Sequence, residues 1–213
     1  FPSTTDFPDI AQIEFAYHKM ALAAGIQMND SQLFSGASGK KYFGTKRFDR
    51  VENNRLHMSS AWGLLHDDFR MSTMDYGHLM DLAFNLVKDV RVYEEVLRLA
   101  AFNIYTHNRD DHSKNFSFLM DKNGSWSFSP AYDLTFSTSS HGMHSTMVAG
   151  ESESPGEQQL KELAKDFGVK NIEVIINDVK TTCSNWMTYA ENAGVKKSSA
   201  TLINKKIQNL LKK

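Results

Sequence analysis

The chain has 213 residues, a length that allows a well-buried core in one domain or in two closely packed halves. Its formal net charge of -1 at pH 7 gives no electrostatic argument for direct contact with nucleic acid or with a membrane surface. The single cysteine, Cys183, excludes an internal disulfide, and no apolar run approaches the length of a membrane span, so a cytoplasmic location is expected.

The first part of the chain predicts a helix followed by two strands. Residues 9–26 begin with Asp9, end near Gly25 and carry apolar residues close to one face, which is typical of a helix. Residues 31–35 and 40–48 flank a short glycine-containing turn, which predicts two strands of a small sheet.

Two helices are predicted in the middle of the chain. Residues 53–72 show weak periodicity and are assigned to loops with a short helix. Residues 74–87 and 90–106 carry apolar residues at helical spacing and should form the core of a helical lobe. The second of these helices runs directly into Asn108, so a rigid element would present the residues that follow.

A polar motif follows this helix. Residues 108–115 read Asn-Arg-Asp-Asp-His-Ser-Lys-Asn, and Arg-Asp, four residues and then Asn is the spacing of the protein-kinase catalytic loop. Phosphoryl transfer needs a carboxylate that orients the attacking hydroxyl and accepts its proton, together with oxygen ligands for magnesium. Asp110 would be that carboxylate, and Asn115 would offer its amide oxygen to the metal.

A hairpin is predicted directly after the motif. Residues 115–120 and 125–129 alternate polar and apolar side chains around an Asn-Gly turn. Because a hairpin returns the chain near its start, Asp133 is expected beside Asn115 as the second magnesium ligand. Asp and Asn are also ordinary loop and cap residues, so the prediction depends on the loop, the hairpin and the second aspartate occurring together.

The last third of the chain predicts a polar segment and three helices. Residues 136–145 are rich in hydroxyl groups, and we interpret them as a mobile loop at the place of a kinase activation segment; no role is assigned to their histidines. Residues 157–167, 171–192 and 199–211 carry apolar stripes and predict packed helices. Cys183 lies on one of these stripes, which indicates a small buried side chain rather than a nucleophile.

These segments resemble the HipA-like serine/threonine kinases of bacterial toxin–antitoxin systems. The resemblance rests on Asn-x-Asp-Asp-His-x-Lys-Asn-Phe at residues 108–116 and on Pro-Ala-Tyr-Asp-Leu-Thr at residues 130–135, and weaker similarity runs from residues 1–3 to the helical end. It implies Asp110 as the catalytic base, Asn115 and Asp133 as metal ligands, and ATP and Mg²⁺ as cofactors.

The resemblance also implies a nucleotide site after the second predicted strand. Backbone groups of Lys46 and Phe48 would bond the adenine, Arg47 would lie with them, and Asp49 would reach the ribose. From pattern alone this segment is only a strand end with charged residues.

Further roles follow from the resemblance. His112 and Lys114 would bind nucleotide and, with Asp111, shape the loop; Lys114 would also neutralise charge that develops on the transferred group. Glu14 would pair with a phosphate-binding lysine, although an exposed helix glutamate is an equally good interpretation. In the family that lysine and a glycine-rich phosphate loop precede the position where this chain begins, so a fragment or an incomplete front is expected.

The predicted fold is α+β and mainly helical, a protein-kinase-like, two-lobed HipA-like architecture with an incomplete N-terminal part. Residues 1–50 would be a remnant of the nucleotide-covering lobe, and residues 51–213 would be the helical catalytic lobe. The predicted activity is ATP- and magnesium-dependent transfer of the γ-phosphate to a hydroxyl of a protein. By resemblance, the expected partners are an aminoacyl-tRNA synthetase as one candidate substrate and a helix-turn-helix antitoxin, with no direct nucleic-acid contact.

Two other functions stay open. A non-catalytic kinase-like scaffold would explain a missing phosphate loop, but it gives no chemical need for Asp110, Asn115 and Asp133 together. A metal-dependent hydrolase that used Asp110, Asp111, His112 and Asp133 would bind zinc or manganese without nucleotide.

Overall fold

The computed structural model describes residues 7–51, 54–68, 72–138 and 142–212, so the similarity predicted at residues 1–3 lies outside the described residues. Within these ranges the chain forms eight α-helices and seven short β-strands, which confirms the predicted α+β, mainly helical class. The helices are α1 (Ile10–Ala23), α2 (Ala61–Leu65), α3 (Tyr76–Val87), α4 (Val92–Thr106), α5 (Glu157–Asp166), α6 (Ile172–Ser184), α7 (Trp186–Ala193) and α8 (Lys197–Leu210). The strands are β1 (Ser31–Ser35), β2 (Lys41–Thr45), β3 (Arg50–Val51), β4 (Asn54–Arg55), β5 (His57–Ser60), β6 (Ser117–Met120) and β7 (Trp126–Phe128).

The two predicted hairpins are both present. Strands β1 and β2 pair antiparallel, with Phe34 opposite Tyr42. Strands β6 and β7 also pair antiparallel, and Gly124 at their turn has a φ of 82°, a backbone conformation that favours glycine. The carboxylate of Asp121 accepts hydrogen bonds from the backbone N–H groups of Asn123 and Ser125, which fixes this turn.

The assignment of residues 53–72 to loops and a short helix is wrong at two places, where the chain forms β4 and β5. Strand β5 pairs antiparallel with β6, so the sheet has the order β5-β6-β7, and Ser60 lies opposite Ser117. The sequence of β5, His-Met-Ser-Ser, has no clear alternation of polar and apolar residues. It forms a strand because it pairs with β6, which comes from a distant part of the chain. The short helix is α2, while residues 52–53 and 69–71 lie outside the described residues.

Helix α4 is the central element of the core. It packs against α3, α5, α6 and α8, and every residue from Leu99 to Thr106 is buried. Two polar residues of this stretch are bonded inside the protein: Thr106 donates its hydroxyl to the carbonyl of Phe102 at 2.7 Å, and Asn103 donates its Nδ2 to the hydroxyl of Tyr76 at 2.8 Å. The end of α4 is therefore held on all sides. In the described ranges, no helix combines the length and the apolar character needed to cross a membrane.

The predicted single helix over residues 171–192 is wrong, because the chain breaks at Asn185 into α6 and α7. The break lets Trp186 turn inward, where its ring meets Tyr17 edge-on at 5.2 Å and its Nε1 donates to the carbonyl of Ala200 at 3.0 Å. Cys183 at the end of α6 is buried, as predicted, and burial raises the pKa of its thiol. A protonated, buried thiol is not a nucleophile.

Candidate active site

The polar motif begins where α4 ends. His107 adopts a left-handed conformation with a φ of 59°, and the N–H of Asn108 donates to the carbonyl of Asn103 at 2.9 Å, which turns the chain out of the helix. The imidazole Nδ1 of His107 lies 3.0 Å from the carbonyl oxygen of Ser137, and its ring stacks on Phe136 at 5.1 Å. Burial lowers the pKa of His107 to about 4, so the ring is neutral at pH 7.

Asp110 and Asn115 are joined across the loop. The Nδ2 of Asn115 donates to the carbonyl of Asp110 at 2.9 Å, and a 3-10 turn over Ser113–Asn115 brings the two residues into reach. This bond orients the amide and leaves its oxygen as the acceptor for another group. The Asp110 side chain is 57% exposed, with the Nε2 of His112 3.9 Å from its Oδ1. An accessible carboxylate and an oriented amide oxygen therefore share one loop.

Asp133 returns to this loop after the hairpin. It has a φ of 57°, and two residues earlier the N–H of Ala131 donates to the carbonyl of Gln27 at 2.8 Å, which anchors the segment to the chain after α1. Surrounding protein atoms desolvate the Asp133 carboxyl and raise its pKa; the negative charge of Asp110 raises it further, while His112 opposes the change. Asp133 therefore lies within electrostatic range of Asp110.

Glu14 on α1 adds a third carboxyl to the same place. Together with His18, Phe43 and Asp133 it lines a recess of about 40 Å³. Burial raises the pKa of Glu14 to about 7, and the charge of Asp133 contributes. The charge of Asp133 makes Glu14 harder to ionise, and the charge of Asp110 does the same for Asp133, so a cation placed nearby would relieve the repulsion.

The donors of this cluster fit a magnesium ion. Mg²⁺ prefers oxygen ligands and is commonly held by one or two carboxylates together with substrate phosphates. The amide oxygen of Asn115 and the carboxylate of Asp133 supply such oxygens. Among the described residues, His, Cys, Asp and Glu side chains form no group of three that could hold a metal by themselves. The arrangement therefore suits a metal shared with phosphate better than the all-protein zinc or manganese site of a hydrolase.

The carboxylate predicted to reach a ribose has internal partners. Asp49 accepts a bidentate ion pair from Arg47, with Nε and Nη2 at 2.8 and 2.7 Å, and a further bond from Arg50 at 2.9 Å. The hydrogen bond from Arg47 is the main cause of the lowered pKa of Asp49. The two arginines, together with Lys46 and Phe48, are among the residues that line a cavity of about 440 Å³.

The backbone groups of Lys46 also have partners. Its N–H donates to the carbonyl of Asp30 at 2.8 Å, and its carbonyl accepts from the Nδ2 of Asn29 at 3.1 Å. Phe48 packs its ring against Tyr132 at 5.4 Å, the residue directly before Asp133. Residues 46–48 therefore lie next to the segment that carries Asp133. A nucleotide that bonded to the backbone of Lys46 would have to replace these internal hydrogen bonds.

The side chain of Lys114 contacts α2. Its Nζ is 4.8 Å from the centre of the Trp62 ring on α2, and its carbonyl accepts a hydrogen bond from the Tyr132 hydroxyl. Tyr132 also shares a 2.6 Å hydrogen bond with the hydroxyl of Ser117. The loop, strand β6 and the segment before Asp133 are therefore tied together by one tyrosine.

A second cavity, of about 630 Å³, lies between α2 and α3 and contains none of the motif residues. Its polar lining includes Asp67, His78 and Asp81. Asp67 accepts hydrogen bonds from the hydroxyls of Ser72 and Ser113, so its carboxylate supports the 3-10 turn. We place the candidate site at the loop rather than in this cavity, because the loop holds the residues with the required chemistry.

A family model described as the HipA-like C-terminal domain matches residues 1–187 of the chain. The chain belongs to this family. A protein of Sinorhizobium fredii named "Putative kinase Y4mE" is 26% identical to this HipA-like domain over 223 residues, covering 99% of the chain and 46% of that protein. The HipA-like domain therefore spans about half the length of this curated relative.

Two solved structures resemble the HipA-like domain. One is the Shewanella oneidensis toxin–antitoxin system HipA, HipB and its operator DNA, with a TM-score of 0.73, 18% identity, and coverage of 97% of this chain and 55% of that chain. The other is the Helicobacter pylori proinflammatory kinase CtkA, with a TM-score of 0.56, 11% identity, and coverage of 95% of this chain and 84% of that chain. These similarities confirm the predicted HipA-like, kinase-like fold.

Sequence reasoning missed part of the polar network behind the loop of this HipA-like domain. From sequence, Asp111 shapes the loop or, in the alternative hydrolase, binds the metal, and His144 has no role. Tyr76 falls on an apolar stripe, and Asn103 has no assigned role. All four are buried. An asparagine inside the apolar stripe of α4 was the available signal, because buried amides need partners. His141 of the same polar segment lies outside the described residues.

Proposed function

We propose that the chain is the catalytic portion of an ATP- and Mg²⁺-dependent serine/threonine protein kinase of the HipA-like toxin type. The observation that carries the proposal is the grouping of Asp110, Asn115 and Asp133 at the buried end of α4 in a HipA-like fold. The kinase names of the relative from Sinorhizobium fredii and of the Helicobacter pylori protein support the same class of enzyme.

The roles follow from the chemistry of each group. The exposed carboxylate of Asp110 would orient the target hydroxyl and accept its proton. Asn115 and Asp133 would hold Mg²⁺, which when bound neutralises charge on the ATP phosphates. Glu14 would pair with a cationic group beside the phosphates, and its raised pKa supports this role because an unpaired carboxylate in that recess is costly.

ATP would lie between the hairpin β1–β2 and the loop, against the cavity lined by Lys46, Arg47 and Phe48. Asp49 would contribute once a ribose competes for it with Arg47 and Arg50. Under this proposal residues 1–50 belong to a nucleotide-covering lobe and residues 51–213 to a catalytic lobe.

His112 and Lys114 would contribute from the loop side of the nucleotide. His112 stands 3.9 Å from the carboxylate of Asp110 and lowers the charge repulsion at Asp133. Lys114 would neutralise charge on the transferred phosphoryl group, after its Nζ leaves the ring of Trp62.

The partners are part of the same proposal. The Shewanella oneidensis structure contains HipA with HipB and operator DNA, which supports an antitoxin as the partner of this chain. DNA contact would then run through the antitoxin, in keeping with the net charge of -1. The phosphorylated protein would be a cytoplasmic target such as an aminoacyl-tRNA synthetase.

Calorimetry of ATP binding with and without Mg²⁺ tests the proposal, using the complete gene product and this chain side by side. We expect Mg²⁺ to strengthen ATP binding by the wild-type protein and Asp133→Asn to remove that dependence. Asp110→Asn should bind ATP normally but lower phosphate transfer by at least about 100-fold. Asp166→Asn, at the exposed end of α5, is the matched control and should change neither quantity. If the complete product binds no nucleotide, the kinase proposal falls and a non-catalytic scaffold takes its place.

A further inference from the structure

We propose that Asp111 and His144 form a positioning pair that holds the catalytic loop in its working shape by docking residues 144–146 behind Asp110. The proposal rests on the kinase function proposed above and deepens it. Neither residue would touch substrate or nucleotide, so both would act through Asp110. The segment that carries His144 follows Asp133 in the chain, and Asp111 follows Asp110. The pair therefore links the segment after Asp133 to the loop that carries Asp110.

The carboxylate of Asp111 has a complete set of donors. Its Oδ1 accepts from the backbone N–H of Ser145 at 2.8 Å and of Thr146 at 3.3 Å. Its Oδ2 lies 3.0 Å from the Nδ1 of His144 and accepts from the Tyr76 hydroxyl at 3.1 Å. Asp111 is 1% exposed. Three of these four donors belong to residues 144–146, so this carboxylate is satisfied only while that segment is docked.

The pair is also connected to the rigid core. The Tyr76 hydroxyl that donates to Asp111 accepts from the Nδ2 of Asn103 on α4 at 2.8 Å. The side-chain oxygen of Asn103 in turn accepts from the Nδ2 of Asn108 at 2.9 Å. These hydrogen bonds connect α3, α4 and the start of the loop, and Tyr76, Asn103 and Asn108 are all buried. Helices α3 and α4 therefore fix the position of Asp111.

The docked segment fixes the backbone on both sides of Asp110. The carbonyl of Arg109 accepts from the N–H and from the hydroxyl of Ser145, at 3.2 and 3.1 Å. The carbonyl of Asp111 accepts from the hydroxyl of Thr146. Since the carbonyl of Asp110 itself is held by Asn115, the main chain of the loop has little freedom, and the carboxylate of Asp110 is the group directed outward.

Loss of the pair should affect catalysis more than binding. A displacement of a reacting group by about 1 Å costs about 100-fold in rate, whereas the adenine and ribose contacts proposed above come from residues 46–49, outside the loop. We therefore expect kcat to fall by about 10- to 100-fold and the KM for ATP to stay within about twofold when the pair is broken.

Four variants of the complete gene product test the pair. Asp111→Asn replaces one carboxylate oxygen with an NH₂ donor, which cannot accept from the donors that surround Asp111. His144→Leu removes the donor at Nδ1, and both variants should lower kcat as stated. His144→Asn keeps an amide nitrogen near the position of Nδ1 and should restore most of the rate. Tyr76→Phe removes the hydroxyl that links Asp111 to Asn103 and should lower kcat by about tenfold.

The matched control is Tyr105→Phe. Tyr105 is as buried as Tyr76, but its hydroxyl has no hydrogen-bond partner among the described residues, so kcat should not change. Amide hydrogen exchange of residues 142–147 gives a readout without turnover, and protection of Ser145 and Thr146 should drop in His144→Leu and stay in Tyr105→Phe. If Asp111→Asn fails to fold, the comparison of His144→Leu with His144→Asn decides.

The outcomes separate the two proposals. An active wild-type protein whose His144→Leu variant keeps full kcat and full exchange protection overturns the positioning pair alone. Equal rates for His144→Leu and His144→Asn would also overturn it, since the hydrogen bond would then be irrelevant. A wild-type protein that transfers no phosphate overturns the proposed kinase function.

Discussion

Glu14 should make the protein less stable as the pH rises from about 4.5 to about 7. Its pKa is raised from 4.5 to about 7 by burial and by Asp133. Below pH 4.5 the carboxyl is protonated in both states and contributes nothing. Between these values the unfolded chain releases the proton while the folded chain keeps it, so stability falls with rising pH. At about 1.4 kcal/mol per pKa unit, the full cost above pH 7 is about 3 kcal/mol.

The Glu14→Gln variant removes this cost, because the amide is neutral and of similar size. We expect it to be more stable than the wild-type protein by about 3 kcal/mol at pH 8 and equally stable at pH 4. Urea unfolding between pH 4 and pH 8 measures the difference, and Glu191→Gln on the exposed side of α7 serves as the control. A Glu14→Gln curve parallel to the wild-type curve would refute the reasoning, since it would mean that Glu14 ionises normally in the folded protein.

Two further predictions concern stability elsewhere. The pKa of His107 is lowered to about 4 in the folded protein. In the Glu14→Gln background, lowering the pH from about 6.5 to about 4 should therefore reduce the free energy of unfolding by about 2 kcal/mol. Urea unfolding of His107→Asn in the same background should lack this part of the pH dependence. Asp9 accepts from the N–H of Lys196 at 2.7 Å and from the hydroxyl of Ser199 at 2.8 Å, so it caps α8 from the other end of the chain. Asp9→Ala should cost about 1–3 kcal/mol, and a double-mutant cycle with Ser199→Ala that shows no coupling would contradict the cap.

The local parts of the structure could be predicted from the sequence. The spacing of Asp110 and Asn115 predicts one loop, and the hydrogen bond from Asn115 to the carbonyl of Asp110 closes that loop in the structure. The alternating pattern and the Asn-Gly turn predicted the hairpin β6–β7, which the structure contains. Each of these inferences depends on residues that are close in the chain, where periodicity and turn chemistry are informative.

The missed features depend on distant residues. Strand β5 is a strand because β6 lies beside it, and the break between α6 and α7 exists because Trp186 packs against Tyr17. The contact between Asp111 and His144 likewise joins two loops whose sequences carry no sign of each other. In each case the tertiary partner, rather than the local pattern, decides the conformation.

The pairing of β5 with β6 also bears on the order of folding. Opposing Ser60 and Ser117 closes a long stretch of chain that contains α3, α4 and the polar motif. Helices α3 and α4 are neighbours in sequence and can associate early. Pairing β5 with β6 is slower, because closing the chain between these strands costs conformational entropy. The motif loop lies directly before β6, so it should acquire its shape late, after the helices that support it. Mutations in β5 should therefore slow the appearance of the assembled site more than that of helical structure.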